Sequence, residues 1–228
     1  MKEIKLAVFD MAGTTVNEDN VVYKTVREAL AKAGVEVSLD TVLEFGAGKE
    51  KYKAIADILE ETKTARDFEV DAKAVHTDFK EMLKEAYTNL EVTSYEGVEE
   101  LFKVMQSHGV KVVLNTGYDS KTAQSLLDKL GWKVGQHIDG LVTADDVEIG
   151  RPSSEMIDKA MELFNITDPE QVLKAGDSMI DIEEGKNANC GITVGVLTGA
   201  QTREQLERAN PTLILNTLDA LEGILFPD

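Results

Sequence analysis

Asp10 closes the apolar run Ile4-Lys5-Leu6-Ala7-Val8-Phe9 and is followed by Met11-Ala12-Gly13 and two hydroxyls, Thr14 and Thr15. A carboxylate at the carboxyl end of a buried strand, with a flexible turn after it, stands where open α/β sheets place their chemistry. Asp10 is therefore a candidate nucleophile or metal ligand. The position two residues on holds Ala12, which has no group to act as general acid or base. Downstream, Val172-Leu173-Lys174-Ala175 runs into Gly176-Asp177-Ser178-Met179-Ile180-Asp181. Asp177 falls at a strand end and Asp181 one helical turn further, so both can face one point. With Asp10 they suit a hard divalent cation that keeps waters and meets a substrate phosphate, as Mg2+ does. An N-cap role for Asp177 is the plainer alternative.

Two further fragments carry polar chemistry. Leu114-Asn115-Thr116-Gly117-Tyr118 puts a hydroxyl at the end of an apolar strand, and backbone N–H groups at the following helix start would join it in a phosphate cradle. A Gly turn with a Thr cap is the bland reading. In Gly150-Arg151-Pro152, Pro152 is expected to open a helix as its first residue, with Arg151 just before it. The Arg151 guanidinium is a permanent charge in a rigid fork, suited to a carboxylate and a phosphoryl oxygen together; a solvated arginine is the alternative. His76, His108 and His137 are scattered without metal-ligand spacing.

These residues need elements to hold them. Short β-branched runs at Ile4–Phe9, Val110–Asn115, Leu141–Thr143, Gln171–Ala175, Ile192–Val196 and Thr212–Leu215 alternate with helical patterns near Tyr95–Ser107, Ser120–Leu130, Ser153–Phe164, Ile180–Asn189 and Thr202–Arg208. That alternation predicts an α/β fold with a parallel sheet flanked by helices. Between Asn17 and Val92 the pattern changes to successive helices, near Val21–Ala33, Leu39–Phe45, Glu50–Glu61 and Phe68–Asn89. The expected organisation is a core of residues 1–16 and 93–228 and an inserted all-helical cap of residues 17–92.

In order, Asp10-x-Ala12-Gly13-Thr14, Thr116-Gly117, Arg151 and Gly176-Asp177-x-x-x-Asp181 resemble the four motifs of the haloacid dehalogenase superfamily. The resemblance implies a Rossmann-like sheet with a mobile cap, an Asp that the substrate phosphorylates, a Thr on the transferring group, a basic residue steadying both, and Mg2+ as cofactor. It puts the metal contacts at Asp10, Ala12 and Asp177, with Asp181 behind them, and substrate contacts at Gly13, Thr14, Gly117 and Tyr118. Ala12 and Arg151, where most members carry Asp and Lys, resemble the phosphonoacetaldehyde hydrolase (phosphonatase) family within it. That family forms a Schiff base on a cap lysine after a Gly-x-x-Lys turn, and Gly46-Ala47-Gly48-Lys49 occupies the corresponding place. Phe45 and Tyr52 stand where those enzymes carry Met and His, with Tyr52 a substrate contact.

The substitutions are chemically coherent. An ester leaving group takes a proton from a general acid, worth about 10²–10⁴-fold; a carbanion leaving group passes its electrons into an iminium, so Ala12 is tolerated. Lys49 must then be neutral when it attacks, helped by burial or by a neighbouring cation such as Lys51 or Lys53; otherwise it is one solvated lysine of a Lys-rich helix start. The expected function is a Mg2+-dependent phosphonatase-like hydrolase with Asp10, Lys49, Thr116 and Arg151 as catalytic residues. Cleavage of an activated phosphate, without Schiff-base chemistry, and a slow phosphoacceptor signalling module are the rivals. A net charge of −18 argues against a nucleic-acid partner. Expected partners are thus a small phosphonate or phosphate, with a homodimer compatible, no membrane and a cytoplasmic setting, since Cys190 is the single cysteine and no segment is long and apolar enough to span a bilayer.

Overall fold

The computed structural model describes residues 2–62 and 70–227. Its centre is a strand of four apolar residues closed by Asp10, β1 (Leu6–Asp10), buried along its whole length. Alternate side chains leave its two faces: Ala7 and Phe9 pack into one hydrophobic cluster, Leu6 and Val8 into another on the opposite side. A strand buried on both faces reads as a continuous apolar run, as parallel sheets require.

The chain then makes a short ribbon strand, β2 (Val16–Asn17), and four helices, α1 (Val21–Lys32), α2 (Leu39–Gly46), α3 (Lys51–Glu61) and α4 (Ala72–Asn89), before β3 (Thr93–Ser94) pairs antiparallel with β2. The four helices pack mainly on one another, α1 on α4 and α2 on α3. The expected helix start at Phe68 lies outside the described residues. The ribbon was not foreseen, because two residues are too few to show a strand period.

The remaining elements are α5 (Val98–Ser107), β4 (Lys111–Asn115), α6 (Ser120–Leu130), β5 (Gly140–Val142), α7 (Glu155–Leu163), β6 (Val172–Gly176), α8 (Met179–Asn187), β7 (Ile192–Val196), α9 (Arg203–Arg208), β8 (Leu213–Leu215) and α10 (Leu221–Leu225). The main sheet has the order β5-β4-β1-β6-β7-β8. All its pairings are parallel, with Asp10 opposite Asn115 and Phe9 opposite Ala175. The chain first builds outward from β1 through β4 to β5, then returns to add β6, β7 and β8 on the other side. Strand order reverses beside β1, so the crevice for a ligand opens at the carboxyl ends of β1, β4 and β6.

One local expectation is corrected. Pro152 does not open a helix: Arg151-Pro152 is a cis peptide, and α7 begins only at Glu155. The Glu155 carboxylate accepts from the backbone N–H groups of Glu148 and Ile149, both at 3.0 Å, so the preceding loop folds back over the helix start. No described helix is long and apolar enough to cross a membrane.

Candidate active site

Asp10 is presented by a turn tied to its own strand end. The Met11 carbonyl accepts from the N–H groups of Thr14, Thr15 and Val16 at 3.2, 2.9 and 2.8 Å, and the Thr15 hydroxyl donates to the Asp10 carbonyl at 2.8 Å. Gly13 has φ 83°, and a Cβ there would overlap the Asp177 carboxylate. Glycine is thus needed both for the left-handed backbone and for the approach of this turn to Asp177. Thr14 is fully buried, but neither it nor Gly13 lines the cavity at Asp10.

Behind Asp10 lies a dense polar cluster. Arg151, its side chain 4% exposed, reaches Asp10 Oδ1 at 2.6 Å and Asp181 Oδ1 at 2.9 Å through Nη1. Its Nη2 donates to both the carbonyl and the side-chain oxygen of Asn115 at 2.8 Å, and its Nε stands 3.2 Å from Glu184. Lys174, wholly buried in β6, binds Asn115 Oδ1 at 2.7 Å, Glu184 at 3.0 Å and Asp181 at 3.1 Å. Asn115 returns its amide to both Glu184 oxygens at 2.8 and 3.0 Å. Removing one member of a buried ion pair typically costs about 3–5 kcal/mol. Arg151 is therefore a fixed positive charge against Asp10 rather than a swinging arm.

Asp10, Asp177 and Asp181 bring carboxylate oxygens within 4.8 Å of one another. Ser178, not Asp177, caps α8, while Asp177 accepts from the Ala200 N–H at 2.6 Å. Both Asp181 oxygens are taken, one by Arg151 and Lys174, the other by the Ser178 hydroxyl at 2.6 Å. Asp181 thus stands behind, with Asp10 and Asp177 facing the cavity. Burial raises the Asp10 carboxyl above its ordinary range, against the pull of Arg151. Burial raises Asp177 well above its ordinary value, and Asp10 and Asp181 add to it. Burial would raise Asp181 too, but Arg151 and Lys174 outweigh it and hold that group low. Four carboxylates face two cations, Arg151 and Lys174, in this buried cluster. A hard divalent cation fits this oxygen-rich donor set and its excess negative charge.

The cavity at Asp10 is also lined by Ala12, Tyr23, Gly48, Lys51, Thr116, Gly117 and Tyr118. The structure therefore brings Thr116, Gly117 and Tyr118 to Asp10. At the start of α6, Asp119 accepts from the Thr122 N–H at 2.8 Å and Asp145 from the Ser120 N–H at 2.9 Å, so two N–H groups of the expected cradle already have protein partners. The Thr116 hydroxyl accepts from the Tyr118 N–H at 3.2 Å, which leaves its own proton to donate.

The cap lysine is the largest difference from expectation. Lys49 does not line the Asp10 cavity; its Nζ is held at 2.6 Å by Asp57, which also takes Lys53. Tyr52 is 45% exposed and lies outside that cavity as well. Two residues after Lys49, where α3 begins, the helix turns Lys51 inward. The Lys51 amine is buried although part of the residue remains exposed, and it donates to the Lys49 carbonyl at 2.7 Å and stands 5.1 Å above the Tyr23 ring. Burial lowers its pKa from the usual lysine value, with Asp10 opposing and Arg151 assisting. Gly48 makes the approach possible: its φ is 74°, its N–H donates to the Tyr23 hydroxyl at 3.2 Å, and a Cβ would overlap Ser178 and Ile180 of the core.

Sequence reasoning missed Lys51 because it lies in the run Lys49-Glu50-Lys51-Tyr52-Lys53, where only the helix phase decides which lysine faces in. Lys174 had a readable signal, a lone charge inside an apolar strand. Glu184 did too, three residues beyond Asp181 on the same helix.

A family model described as haloacid dehalogenase-like hydrolase matches residues 4–189. A phosphonoacetaldehyde hydrolase of Latilactobacillus sakei is 30% identical over 206 residues, covering 86% of this chain and 77% of its own. One of Bacillus mycoides is 30% identical over 236 residues, covering 97% and 88%. Among solved structures, a phosphonoacetaldehyde hydrolase-like protein of Oleispira antarctica is similar in fold, with TM-score 0.83, 22% identity and 98% and 92% of the two chains covered.

Proposed function

The chain belongs to the haloacid dehalogenase-like hydrolases, and from that premise we propose that it cleaves the carbon–phosphorus bond of phosphonoacetaldehyde or a related phosphonate, using Asp10 as nucleophile and Lys51 as the imine-forming amine. The observation that carries the reading is a buried lysine amine sharing the Asp10 cavity with Ala12, where an ester-cleaving site would need an acid. Relatives at 30% identity named phosphonoacetaldehyde hydrolase support the substrate class.

In this mechanism the neutral Lys51 amine adds to the aldehyde carbon, and the carbinolamine hydroxyl takes a proton from solvent and departs as water, leaving an iminium. Arg151 holds Asp10 Oδ1 and leaves Oδ2 to attack phosphorus. The carbon–phosphorus bond breaks, its electron pair moves into the iminium to give an enamine, and the phosphoryl group is now on Asp10. The enamine takes a proton on carbon; water hydrolyses the resulting iminium to acetaldehyde and frees Lys51 as its ammonium. A second water cleaves the acyl phosphate to inorganic phosphate and the Asp10 carboxylate. Asp10 and Asp177, with Ala12 beside them, would hold Mg2+, which when bound offsets the charge that the phosphonate brings to these carboxylates. The Thr116 hydroxyl and the Gly117 backbone line the space for the transferring group.

Borohydride reduction with phosphonoacetaldehyde, followed by peptide mass mapping, tests the proposal. An adduct on Lys51 supports it; an adduct on Lys49 returns the amine role to that residue. Turnover of acyl phosphates without any trappable adduct selects the second reading, hydrolysis of an activated phosphate that needs no acid. The contacts of Lys51 with the Lys49 carbonyl and the Tyr23 ring favour that reading, since both stabilise a charged ammonium.

A further inference from the structure

Next to the Asp10 cavity, between α3 and α4 on one side and α6 on the other, lies a cleft of about 550 Å³. Lys51, Gly117 and Tyr118 line both spaces, so the two adjoin. The cavity directly at Asp10 measures only about 20 Å³. A two-carbon aldehyde would leave the larger cleft empty, whereas volumes of about 300–1,000 Å³ are those of sites for drug-sized ligands.

The lining has two parts. Its floor is apolar and aromatic, from Phe79, Leu83, Tyr87, Tyr118 and Leu126, with the Tyr87 and Tyr118 rings edge to face at 6.5 Å. Its rim is cationic: Lys80 and Lys84, one turn apart on α4, face Lys121 and Lys129 on α6. Lys129 also donates to the Leu90 carbonyl. Among the described residues, Lys80, Lys84 and Lys121 form no salt bridge. The two acidic residues of the lining are committed elsewhere: Glu50 caps α3 through Tyr52 and Lys53, and Asp119 caps α6. In a chain of net charge −18, four lysines around an apolar cleft form a local anion-receiving rim.

We infer that the leaving-group side of the substrate extends into this cleft: the natural substrate is a 2-oxoalkylphosphonate with an apolar chain that ends in a second anionic group, such as a carboxylate, received by Lys80, Lys84 and Lys121. The inference rests on the carbon–phosphorus reading for the reacting end only. The apolar floor carries the chain and the rim selects its terminal charge.

The test compares the Mg2+-loaded full chain on three probes: phosphonoacetaldehyde, 2-oxoheptylphosphonate, and its acid-terminated counterpart 6-oxo-7-phosphonoheptanoate. The expected order of kcat/KM is acid above alkyl above aldehyde. In a K80Q/K84Q variant the acid-to-alkyl ratio should fall by about fivefold or more, the scale of one exposed ion pair. Equal kcat/KM for all three, or an acid-to-alkyl ratio the variant does not change, overturns the inference. If none of the three releases phosphate, the carbon–phosphorus reading fails, and the cleft is judged separately by inhibition of acetyl phosphate hydrolysis. Competitive inhibition by the acid, stronger than by the alkyl probe and weakened in K80Q/K84Q, then retains the cleft assignment; absence of that preference overturns it.

Discussion

At the residue scale, the difference between Lys49 and Lys51 is one of partners. Lys49 has a carboxylate at 2.6 Å in a half-buried ion pair, while Lys51 loses hydration without gaining a carboxylate at bonding distance. Lys51→Met should therefore lower kcat/KM for phosphonoacetaldehyde by at least about 10³-fold, as removal of a covalent catalyst does. Lys49→Met should change it by less than about tenfold. Phosphate release by the two purified variants decides between them. The pH profile carries the same logic: the amine attacks only when neutral, so the rate of imine formation rises with pH. Because burial lowers the Lys51 pKa, the midpoint of that rise is expected below the ordinary lysine value of 10.5. A rate that keeps climbing past 10.5 would contradict it.

At the element scale, the loop from α2 to α3 sets the site, because it brings a helix start against the core. Gly48 sits at the closest approach, packed on Ser178 and Ile180 at the beginning of α8. Gly48→Ala introduces a Cβ at positive φ, which costs about 1–2 kcal/mol before any clash, and pushes the loop off α8. Urea denaturation should show a loss of at least that size. Aldehyde turnover should drop further than Mg2+ affinity, since Asp10 and Asp177 are on the other side of the contact. Equal losses in both would mean that the substitution disturbs the core instead.

At the scale of the whole molecule, burial of like charges ties stability to protons and cations. Asp177 has a raised folded-state pKa, so its contribution to stability is present below the unfolded carboxylate value and is lost as pH rises through the folded one. The excess of carboxylates in the cluster means that Mg2+ should stabilise the fold by RT ln(1 + [L]/Kd), about 2.7 kcal/mol at 100 times Kd, and raise Tm accordingly. Asp177→Asn should abolish most of this shift in a thermal melt with and without Mg2+. Glu18, 2% exposed between β2 and α1, is pushed up to about 8 by burial. Its stabilising protonated form is complete below the usual value near 4.5 and is lost as pH climbs through about 8. Glu18→Gln should flatten the fall in Tm between pH 6 and 9; an unchanged slope would remove Glu18 as its source.

The alternation of apolar runs and helical patterns is local information, and it determined the parallel α/β core, because strand and helix periods are properties of consecutive residues. The same is true of Asp10, Thr116, Arg151 and Asp177 as neighbours: each ends or follows a strand, and parallel strands put those ends on one edge. What tertiary structure decided were matters of facing and charge pairing. The phase of α3 against the core turned Lys51 inward and left Lys49 to Asp57. The pairing of Arg151 and Lys174 with Asp181 and Glu184 used up Asp181, leaving Asp10 and Asp177 at the cavity. Neither outcome is written in spacing, because a lysine or a carboxylate has the same composition whether its charge meets water, a partner or a buried site. Only the packing of one element on another assigns it.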